Sequence, residues 1–198
     1  MDYKEKANLL KVRNTVIEML HDRLYDIDDE TANVDIDQFV AMYDNENINF
    51  TVDDKIHIYF YIENKSFGKK DLTTIYSKVK TEVGDAIRLM IVINGKCIES
   101  IRNELNNLEY QNVEIFTQDQ LRFNITKNYL VPKHILLDEE EKHKIHKKYN
   151  TNSNDVFQKI HKNDPVAQYY AMKKDDMCKI IRSSPSSGIC VSYRVVVL

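Results

Sequence analysis

Two carboxylates and a lysine stand at opposite ends of one apolar segment of this sequence. Asp53 and Asp54 precede the segment, and Glu63-Asn64-Lys65 follows it. Carboxylates hold Mg²⁺, and a nearby lysine stabilises the charge that develops when a phosphodiester is cleaved. A glutamate two residues before a lysine arises easily by chance, however, in a chain with 30% charged residues. We therefore favour the interpretation that these are surface charges at the ends of a strand.

Other reactive residue types lack the spacing that a site requires. His143 and His146 fall three apart on a predicted helix, yet no cysteine or carboxylate motif completes a metal-ligand set. The serines between 183 and 187 lack a nucleophile-elbow spacing and are typical of a turn. Three cysteines without a CxxC pair indicate reduced thiols in a cytosolic or nuclear protein. We expect no catalytic residue, metal, cofactor or small-molecule substrate.

Asn94, Gly95 and Lys96 lie between a predicted strand and the helix predicted to follow it. A helix N-terminus exposes backbone N–H groups that suit phosphate oxygens, and Lys96 adds a positive charge. These three residues are therefore candidates for a contact with phosphate oxygens. Residues 1–125 nevertheless carry 15 Lys and Arg against 23 Asp and Glu, a net charge of −8. We expect the isolated chain to bind free duplex DNA weakly.

Charge divides the 198 residues into two parts. Residues 126–198 carry 13 Lys and Arg against 8 Asp and Glu, a net charge of +5, opposite in sign to the first part. The asymmetry predicts two domains, 1–125 and 126–198, with different neighbours. The longest purely apolar run, 89–93, is far shorter than the roughly 20 residues that cross a bilayer. Neither a membrane segment nor a secretory signal is expected.

Helix and strand patterns alternate along residues 1–125. An amphipathic helix is predicted from Tyr3 to Tyr25, followed by the acidic stretch Asp28–Asp54, which holds nine carboxylates and no Lys or Arg. Strands are predicted at 55–62, 87–93 and 113–116. The helices between them have apolar residues at helical spacing: Leu72, Ile75, Tyr76 and Val79, then Ile98, Ile101, Leu105 and Leu108. This order predicts an α/β domain with parallel strands, which ends near Phe123 before a linker at 124–129.

Residues 126–198 predict a small α+β unit. Asp138 is suited to cap a helix with an acidic first turn and a basic end, and Asp164-Pro165 to begin another. Residues 177–182 and 189–197 predict a closing antiparallel hairpin. In its last strand, apolar side chains alternate with more polar ones, which predicts that one face packs on the core and leaves the other for a partner. The apolar positions are Ile189, Val191, Tyr193, Val195 and Val197.

Ordered blocks of this second part resemble the C-terminal domain of the fifth subunit of eukaryotic RNA polymerases and the small archaeal counterpart of that domain. In chain order they are Val131-Pro132-Lys133-His134, Glu139-Glu140-Glu141-Lys142, Tyr149, Asp164-Pro165-Val166-Ala167, Tyr169, Lys179-Ile180-Ile181-Arg182, Ser184, Gly188 and Val191-Ser192-Tyr193-Arg194. Several blocks in order are far more specific than one short motif. Family members usually have glycine, or a turn that contains it, where Ala171 and Asp175-Asp176 stand. Local loop geometry is in doubt there, although Asp tolerates positive φ.

The resemblance implies a non-catalytic subunit of a multisubunit DNA-dependent RNA polymerase. In that family, a three-layer, nuclease-like α/β jaw domain flanks downstream duplex DNA, which makes Asn94, Gly95 and Lys96 the DNA-proximal candidates. A C-terminal assembly domain docks on the largest subunit, near other small subunits. The resemblance also implies residence in the nucleus for a cellular protein, and in the host cytoplasm or virion for a protein encoded by a large DNA virus. The interface candidates are Val131, Pro132, Lys133, His134, Asp164, Pro165, Arg182, Tyr193 and Arg194.

Two other classes of function remain open. The chain is alternatively a free-standing regulatory protein that uses the same module to bind polymerase. The third hypothesis is a diverged nuclease, because Asp53 or Asp54 followed by Glu63-Asn64-Lys65 resembles the PD-(D/E)-x-K motif, although its proline is absent. Stoichiometry in the purified polymerase separates the first two hypotheses, and cleavage of DNA tests the third.

Overall fold

The computed structural model describes residues 3–45, 47–63, 66–84, 87–95, 101, 104–105, 110–184 and 188–198. The chain forms two compact units that divide between Phe123 and Asn124. Within the described ranges, no helix is both long and apolar enough to cross a membrane.

The first unit begins with three helices, α1 (Tyr3–Asp22), α2 (Asp29–Ala32) and α3 (Ile36–Asp44). The predicted amphipathic helix is confirmed, because α1 buries one stripe of side chains that includes Leu9, Val12, Val16, Met19 and Leu20. The acidic stretch is folded. Asp28 caps α2, and Asp35 forms a capping box with Gln38 at the start of α3. Carboxylates here satisfy backbone N–H groups that the helix itself leaves without partners.

A four-stranded sheet follows, formed by β1 (Phe50–Val52), β2 (Ile56–Tyr61), β3 (Arg88–Ile93) and β4 (Val113–Thr117) in that order. The predicted parallel pairing of β2, β3 and β4 is confirmed. The antiparallel strand β1 is not predicted, since only three residues at the end of the acidic stretch form it. Helix α4 (Lys69–Val83) connects β2 to β3. The helix predicted around 98–108 lies mostly outside the described residues.

Helices lie on both faces of this sheet. On one face, Leu72, Ile75 and Val79 of α4 pack in one cluster with the β3 residues Leu89, Ile91 and Ile93. On the other face, register places Phe50, Ile58, Met90 and Glu114 side by side. Helix α1 covers that face, because the Arg13 guanidinium lies 4.8 Å from the Phe50 ring centroid and Arg23, just beyond α1, pairs with Glu114 at 2.8 Å. Burial on both faces explains why β3 is almost continuously apolar.

The second unit is an α+β unit, as predicted. Its sheet has the order β5-β7-β8-β6, in which β7 and β8 form the predicted antiparallel hairpin and β6 is parallel to β8. The strands are β5 (Lys133–Leu136), β6 (Gln158–His161), β7 (Met177–Ser184) and β8 (Gly188–Val197). The helices are α5 (Glu139–Lys148) and α6 (Pro165–Tyr169), capped by Asp138 and Asp164 as predicted.

The predicted linker at 124–129 is wrong. These residues begin the second unit and include a 3-10 helix, Ile125–Lys127. Asn124 is buried, caps this helix and donates its Nδ2 hydrogen to the Tyr169 hydroxyl at 2.9 Å. A polar side chain with several hydrogen-bond partners holds this segment in place. Segments held this way have no hydrophobic periodicity, which is the pattern that the sequence prediction relied on.

The prediction that one whole face of β8 packs on a core is also wrong. Ile189 is 72% exposed and Val191 42%, whereas Val195 and Val196 are buried. Val195 belongs to a cluster with Phe157 and Met177, and Val196 to a second cluster on the opposite face of the sheet. The final part of β8 therefore buries both of its faces, and the first part extends beyond the core.

Two turns keep a left-handed backbone without glycine. Ala171, just after α6, has φ 50°, and Asp175, before β7, has φ 70°. Both positions coincide with departures from the family pattern. Asp adopts this region with little strain, whereas Ala pays a steric cost because its Cβ approaches the following carbonyl.

Ala171→Gly is expected to raise the free energy of unfolding by roughly 0.5–1 kcal/mol, because glycine relieves the steric cost and loses part of the gain to chain entropy. The matched control is Ala167→Gly. Ala167 is fully buried inside α6, where the same change is expected to lower stability by about 1 kcal/mol or more. Urea denaturation of both variants measures the difference, and a loss of stability in Ala171→Gly would contradict the backbone argument.

Candidate functional site

The block Val131-Pro132-Lys133-His134 leads into the edge strand β5. Lys133 is exposed, whereas His134 is nearly buried on the other face of the sheet. Its Nδ1 lies 2.7 Å from the Pro132 carbonyl oxygen. Because a carbonyl only accepts, Nδ1 carries the proton and donates it. Of this pair, Lys133 is the side chain with a charge available to a partner, and His134 fixes the local chain.

Asp164 and Pro165 have a structural part in α6. The Asp164 carboxylate accepts a hydrogen bond from the Val166 N–H at 2.9 Å, and Pro165 occupies the first helical position. The helix that they begin places Ala167 in the core cluster under the sheet. This pair therefore stabilises the unit that carries the other candidates.

Tyr193 lies in an aromatic cluster on the α5 side of the sheet. Its ring centroid is 6.0 Å from that of Tyr149 and 6.5 Å from that of Phe157. His146 packs edge-on against the same Phe157 ring at 5.4 Å. Across the described residues, no group of three or more His, Cys, Asp or Glu is placed to hold a metal ion.

Arg182 and Arg194 share the opposite face of the hairpin. Arg182 is exposed and pairs in register with Cys190, whereas Arg194 is half-buried between Cys178 on β7 and Gln158 on β6. The Arg194 Nε is buried, and no residue in the described ranges accepts a hydrogen bond from it. Burial raises the pKa of the Cys178 thiol, and the neighbouring Arg194 backbone and charge oppose this rise. Arg194 is thus the candidate with an unmet donor beside an apolar core.

The DNA-proximal candidates lie at the carboxyl end of the first sheet. Asn94 and Gly95 follow β3 directly, and Gly95 has φ 99°. The Gln118 N–H, which follows β4, donates to the Ile93 carbonyl at 2.9 Å, so the ends of both strands lie together. Lys96 lies outside the described residues.

The carboxylates of the nuclease-like pattern stand at opposite ends of β2. Asp53 and Asp54 form the turn between β1 and β2 with φ of 53° and 47°, and Asp53 pairs with Lys55. Glu63 follows the other end of β2 and accepts a hydrogen bond from the Tyr61 hydroxyl at 3.3 Å. Six strand residues separate the two ends by about 20 Å. Asp53 and Glu63 therefore cannot ligate one metal ion. Lys65 lies outside the described residues.

The exposure of the Ile189 and Val191 side chains was not predicted from the sequence. Their alternation along β8 is the same as that of the buried Val195, so periodicity assigns all of them to the core. The only signal in the sequence is indirect. The neighbouring strand β6 is short, and a short neighbour leaves part of a long strand uncovered.

Comparisons with known proteins cover both units. The family model described as "RNA polymerase Rpb5, N-terminal domain" matches residues 3–84, and "RNA polymerase Rpb5, C-terminal domain" matches residues 123–196. A Dictyostelium discoideum protein named "DNA-directed RNA polymerases I, II, and III subunit rpabc1" is 30% identical over 198 residues, covering 96% of this chain and 97% of the relative.

Two further relatives align over almost their full length. The Caenorhabditis elegans "DNA-directed RNA polymerases I, II, and III subunit RPABC1" is 26% identical, covering 99% of both chains. The Arabidopsis thaliana "DNA-directed RNA polymerase subunit 5-like protein 1" is 29% identical, covering 98% of this chain and 97% of the relative. The resemblance carried by residues 131–194 is thereby confirmed and extends to the first unit, so the chain belongs to the Rpb5 family of RNA polymerase subunits.

Proposed function

We propose that this chain is a non-catalytic subunit of a multisubunit DNA-dependent RNA polymerase. The observation that carries the proposal is the presence of both Rpb5 domains, in the family order, in one chain that aligns with its relatives over nearly its whole length. Residues 126–198 dock on the largest subunit as the assembly domain, close to neighbouring small subunits. Residues 1–125 form part of the downstream jaw.

The jaw role agrees with the architecture of the first unit. Its parallel strands are covered by helices on both faces, an arrangement similar to the three-layer, nuclease-like domain of the family. The DNA-proximal candidates Asn94 and Gly95 lie at the carboxyl end of the sheet, and Lys96 follows them. This acidic unit reaches DNA because it is assembled into the polymerase. Its own affinity for DNA is weak, because its net negative charge repels phosphates.

The isolated chain is therefore expected to leave the mobility of duplex DNA unchanged at physiological salt. An electrophoretic shift assay over a range of salt concentrations measures this. A shift that persists at physiological salt and weakens as salt rises would contradict the scaffold role, because it would indicate phosphate contacts made by the chain itself.

We also propose that Arg194 contacts the largest subunit. Its half-buried guanidinium has an unmet Nε donor, and a carboxylate or carbonyl of a partner would satisfy it. Arg194→Ala is expected to weaken assembly with the largest subunit by roughly tenfold or more. Co-expression and quantitative co-purification measure the loss, with the exposed Lys174→Ala as a control of equal charge change. If Arg194→Ala assembles as well as the control, Arg194 does not contribute to binding of the largest subunit.

The other interface candidates divide by their surroundings. Lys133, Arg182 and Tyr193 present exposed or half-buried groups that a partner reaches, whereas His134, Asp164 and Pro165 act by holding the unit in shape. Val131 and Pro132 are half-buried at the entry to β5.

Purification from the native source separates the core subunit from a free-standing polymerase-binding regulator. Recovery in equal amounts with the large subunits supports the core subunit, and substoichiometric, salt-labile recovery supports the regulator. Membership in a family whose relatives are named as subunits of eukaryotic RNA polymerases I, II and III supports our proposal of residence in the nucleus for a cellular protein. For a virus-encoded protein, we propose the host cytoplasm or the virion. The nuclease alternative is disfavoured by the separation of Asp53 from Glu63. Metal-dependent DNA cleavage that Glu63→Ala abolishes would restore it.

A further inference from the structure

The hairpin of the second unit is longer than the sheet on either side of it. β8 pairs with β7 from Gly188 to Val195, but its other neighbour, β6, pairs only with residues 194–197. In the described part of the chain, no strand lies along the outer edge of β8 between Gly188 and Tyr193. Six residues of strand give this open edge a length of about 20 Å.

Hydrogen bonds show which backbone groups point to that edge. The Lys162 N–H donates to the Val197 carbonyl at 2.7 Å, so Val197 presents its backbone to β6. The Val196 N–H instead donates to the Asp176 carbonyl at 2.9 Å, on the β7 side. Because this direction alternates along an antiparallel strand, Val191 and Ile189 present their backbone groups to the same side as Val197. With β6 absent there, four strong hydrogen-bonding groups of these two residues point outwards.

The side chains beside the open edge are apolar and exposed. Ile189 is 72% exposed and Val191 42%, and both lie on the face that carries Tyr193. An open strand edge with exposed branched apolar side chains promotes pairing with another chain, and proteins usually block such edges with charges, prolines or bulges. Residues 188–193 contain neither a charged residue nor a proline. This edge of β8 therefore lacks the usual protection against pairing with another strand.

Charge identifies the kind of segment that fits. Between Lys179 and Arg194 the hairpin carries three basic residues, Lys179, Arg182 and Arg194, and no acidic one. A second copy of this chain, paired edge to edge, would bring two such basic hairpins together. A segment with carboxylates would instead complement them.

We propose that the outer edge of β8, from Gly188 to Tyr193, accepts an extended polypeptide segment of a polymerase subunit as an added strand, with carboxylates that pair with the basic hairpin. The inference rests on the proposed function, because it specifies how the second unit docks. The added segment forms main-chain hydrogen bonds to Ile189 and Val191, and its own apolar side chains cover theirs. It extends the sheet in line with β6.

Proline at position 191 tests the hydrogen bonds. Val191→Pro removes an N–H that faces the open edge and leaves the β7 pairing intact, because edge strands tolerate proline where the N–H faces solvent. The full chain is co-expressed with the other polymerase subunits. Val191→Pro is expected to reduce incorporation roughly tenfold or more, whereas Val191→Thr, which keeps the branched shape and the N–H, is expected to assemble nearly as well as wild type. Thermal unfolding checks that both variants fold.

Charge at the same position gives a second, independent test. Val191→Asp and Val191→Lys both remove the apolar side chain, but only aspartate repels a partner that carries carboxylates. Incorporation is expected to fall severalfold further for Val191→Asp than for Val191→Lys. Equal incorporation, or a greater loss with lysine, overturns the assignment of an acidic segment.

Amide hydrogen exchange reports the added strand directly. In the isolated chain, the amides of Ile189 and Val191 are expected to exchange much faster than those of Cys190 and Ser192, which face β7. In the assembled polymerase, both fast amides are expected to become protected by at least roughly tenfold. Continued fast exchange in the complex overturns the proposal.

The outcomes distinguish this proposal from the function on which it rests. The added strand is rejected, and the subunit function stays in place, if three results are found together. Wild type assembles stoichiometrically, Val191→Pro assembles equally well, and the amides of Ile189 and Val191 still exchange fast in the complex. Failure of wild type to assemble at all rejects both. Sedimentation of the isolated chain tests whether it forms a dimer. If the amides of Ile189 and Val191 are protected from exchange in such a dimer, the edge binds a second copy of the chain and the proposal is overturned.

Discussion

Replacing Val196 with aspartate is expected to unfold the second unit. Val196 is fully buried and packs with Ile160, Ala167 and Met172 beneath the sheet. An aspartate at this position would bury a carboxylate in an apolar cluster without a cation to pair with it. The cost is about 4 kcal/mol or more, which is a large part of the stability of a small domain. Loss of this unit would remove the proposed assembly domain, so incorporation into polymerase should also be lost.

Val191→Asp is the matched control for this prediction. It makes the same substitution on the same strand, at a side chain that is 42% exposed, so its effect on the free energy of unfolding should stay within about 1 kcal/mol. Urea denaturation followed by circular dichroism measures both variants. A Val196→Asp chain with the stability of Val191→Asp would contradict the burial of Val196 in its apolar cluster. Because Val191→Asp is also expected to fail in assembly while folded, the pair separates loss of fold from loss of docking.

Arg13→Ala is expected to destabilise the first unit by about 3 kcal/mol, and Arg13→Met to restore most or all of that loss. Arg13 is only 1% exposed, and its guanidinium packs over the Phe50 ring. One nitrogen, Nη2, donates to the Thr31 carbonyl at 2.7 Å, but Nε and Nη1 are buried and have no partner in the described part of the chain. Burial lowers the pKa of Arg13, and the negative charge of Asp28 only partly opposes this. The side chain therefore stabilises mainly by filling space.

Methionine fills similar space without buried donors. The free energy of unfolding of Arg13→Met is therefore expected to be within about 1 kcal/mol of the wild-type value, or higher than it. Lys11→Met, at an exposed position of the same helix, controls for the loss of a positive charge and should change stability by less than about 0.5 kcal/mol. Thermal and urea unfolding measure all three variants. An Arg13→Met chain as unstable as Arg13→Ala would contradict this account and show that the charge itself holds α1 to α2 and β1.

Short-range signals in the sequence predicted most of the elements correctly. Asp138 and Asp164 cap the helices that they were expected to cap, because an N-cap depends on one side chain and the next three residues. The parallel pairing of β2, β3 and β4 followed from alternating strand and helix patterns, because a crossover helix makes successive strands parallel. The conformation at Asp175 also agreed with its residue type.

Features that depend on distant partners were not predictable. Asn124 looked like part of a linker, yet a hydrogen bond to Tyr169, 45 positions away, holds it in the second unit. Arg13 has helical spacing to Leu9, Val16 and Leu20 in the buried stripe of α1, and only the placement of Phe50 and Thr31 shows how its guanidinium is accommodated there.

The sequence by itself determined the family and the order of the elements, because local patterns and ordered motif blocks can be recognised without knowing which residues are in contact in the folded chain. Of the interface candidates, it indicated the residue types but not their environments. Only the tertiary structure decided that Val195 lies in the core and Val191 at an open edge. The two residues have the same type and phase along β8, but Val195 packs with Phe157 and Met177, whereas Val191 lies outside that cluster and beyond the end of β6. Burial depends on those distant partners, which no periodicity within β8 records.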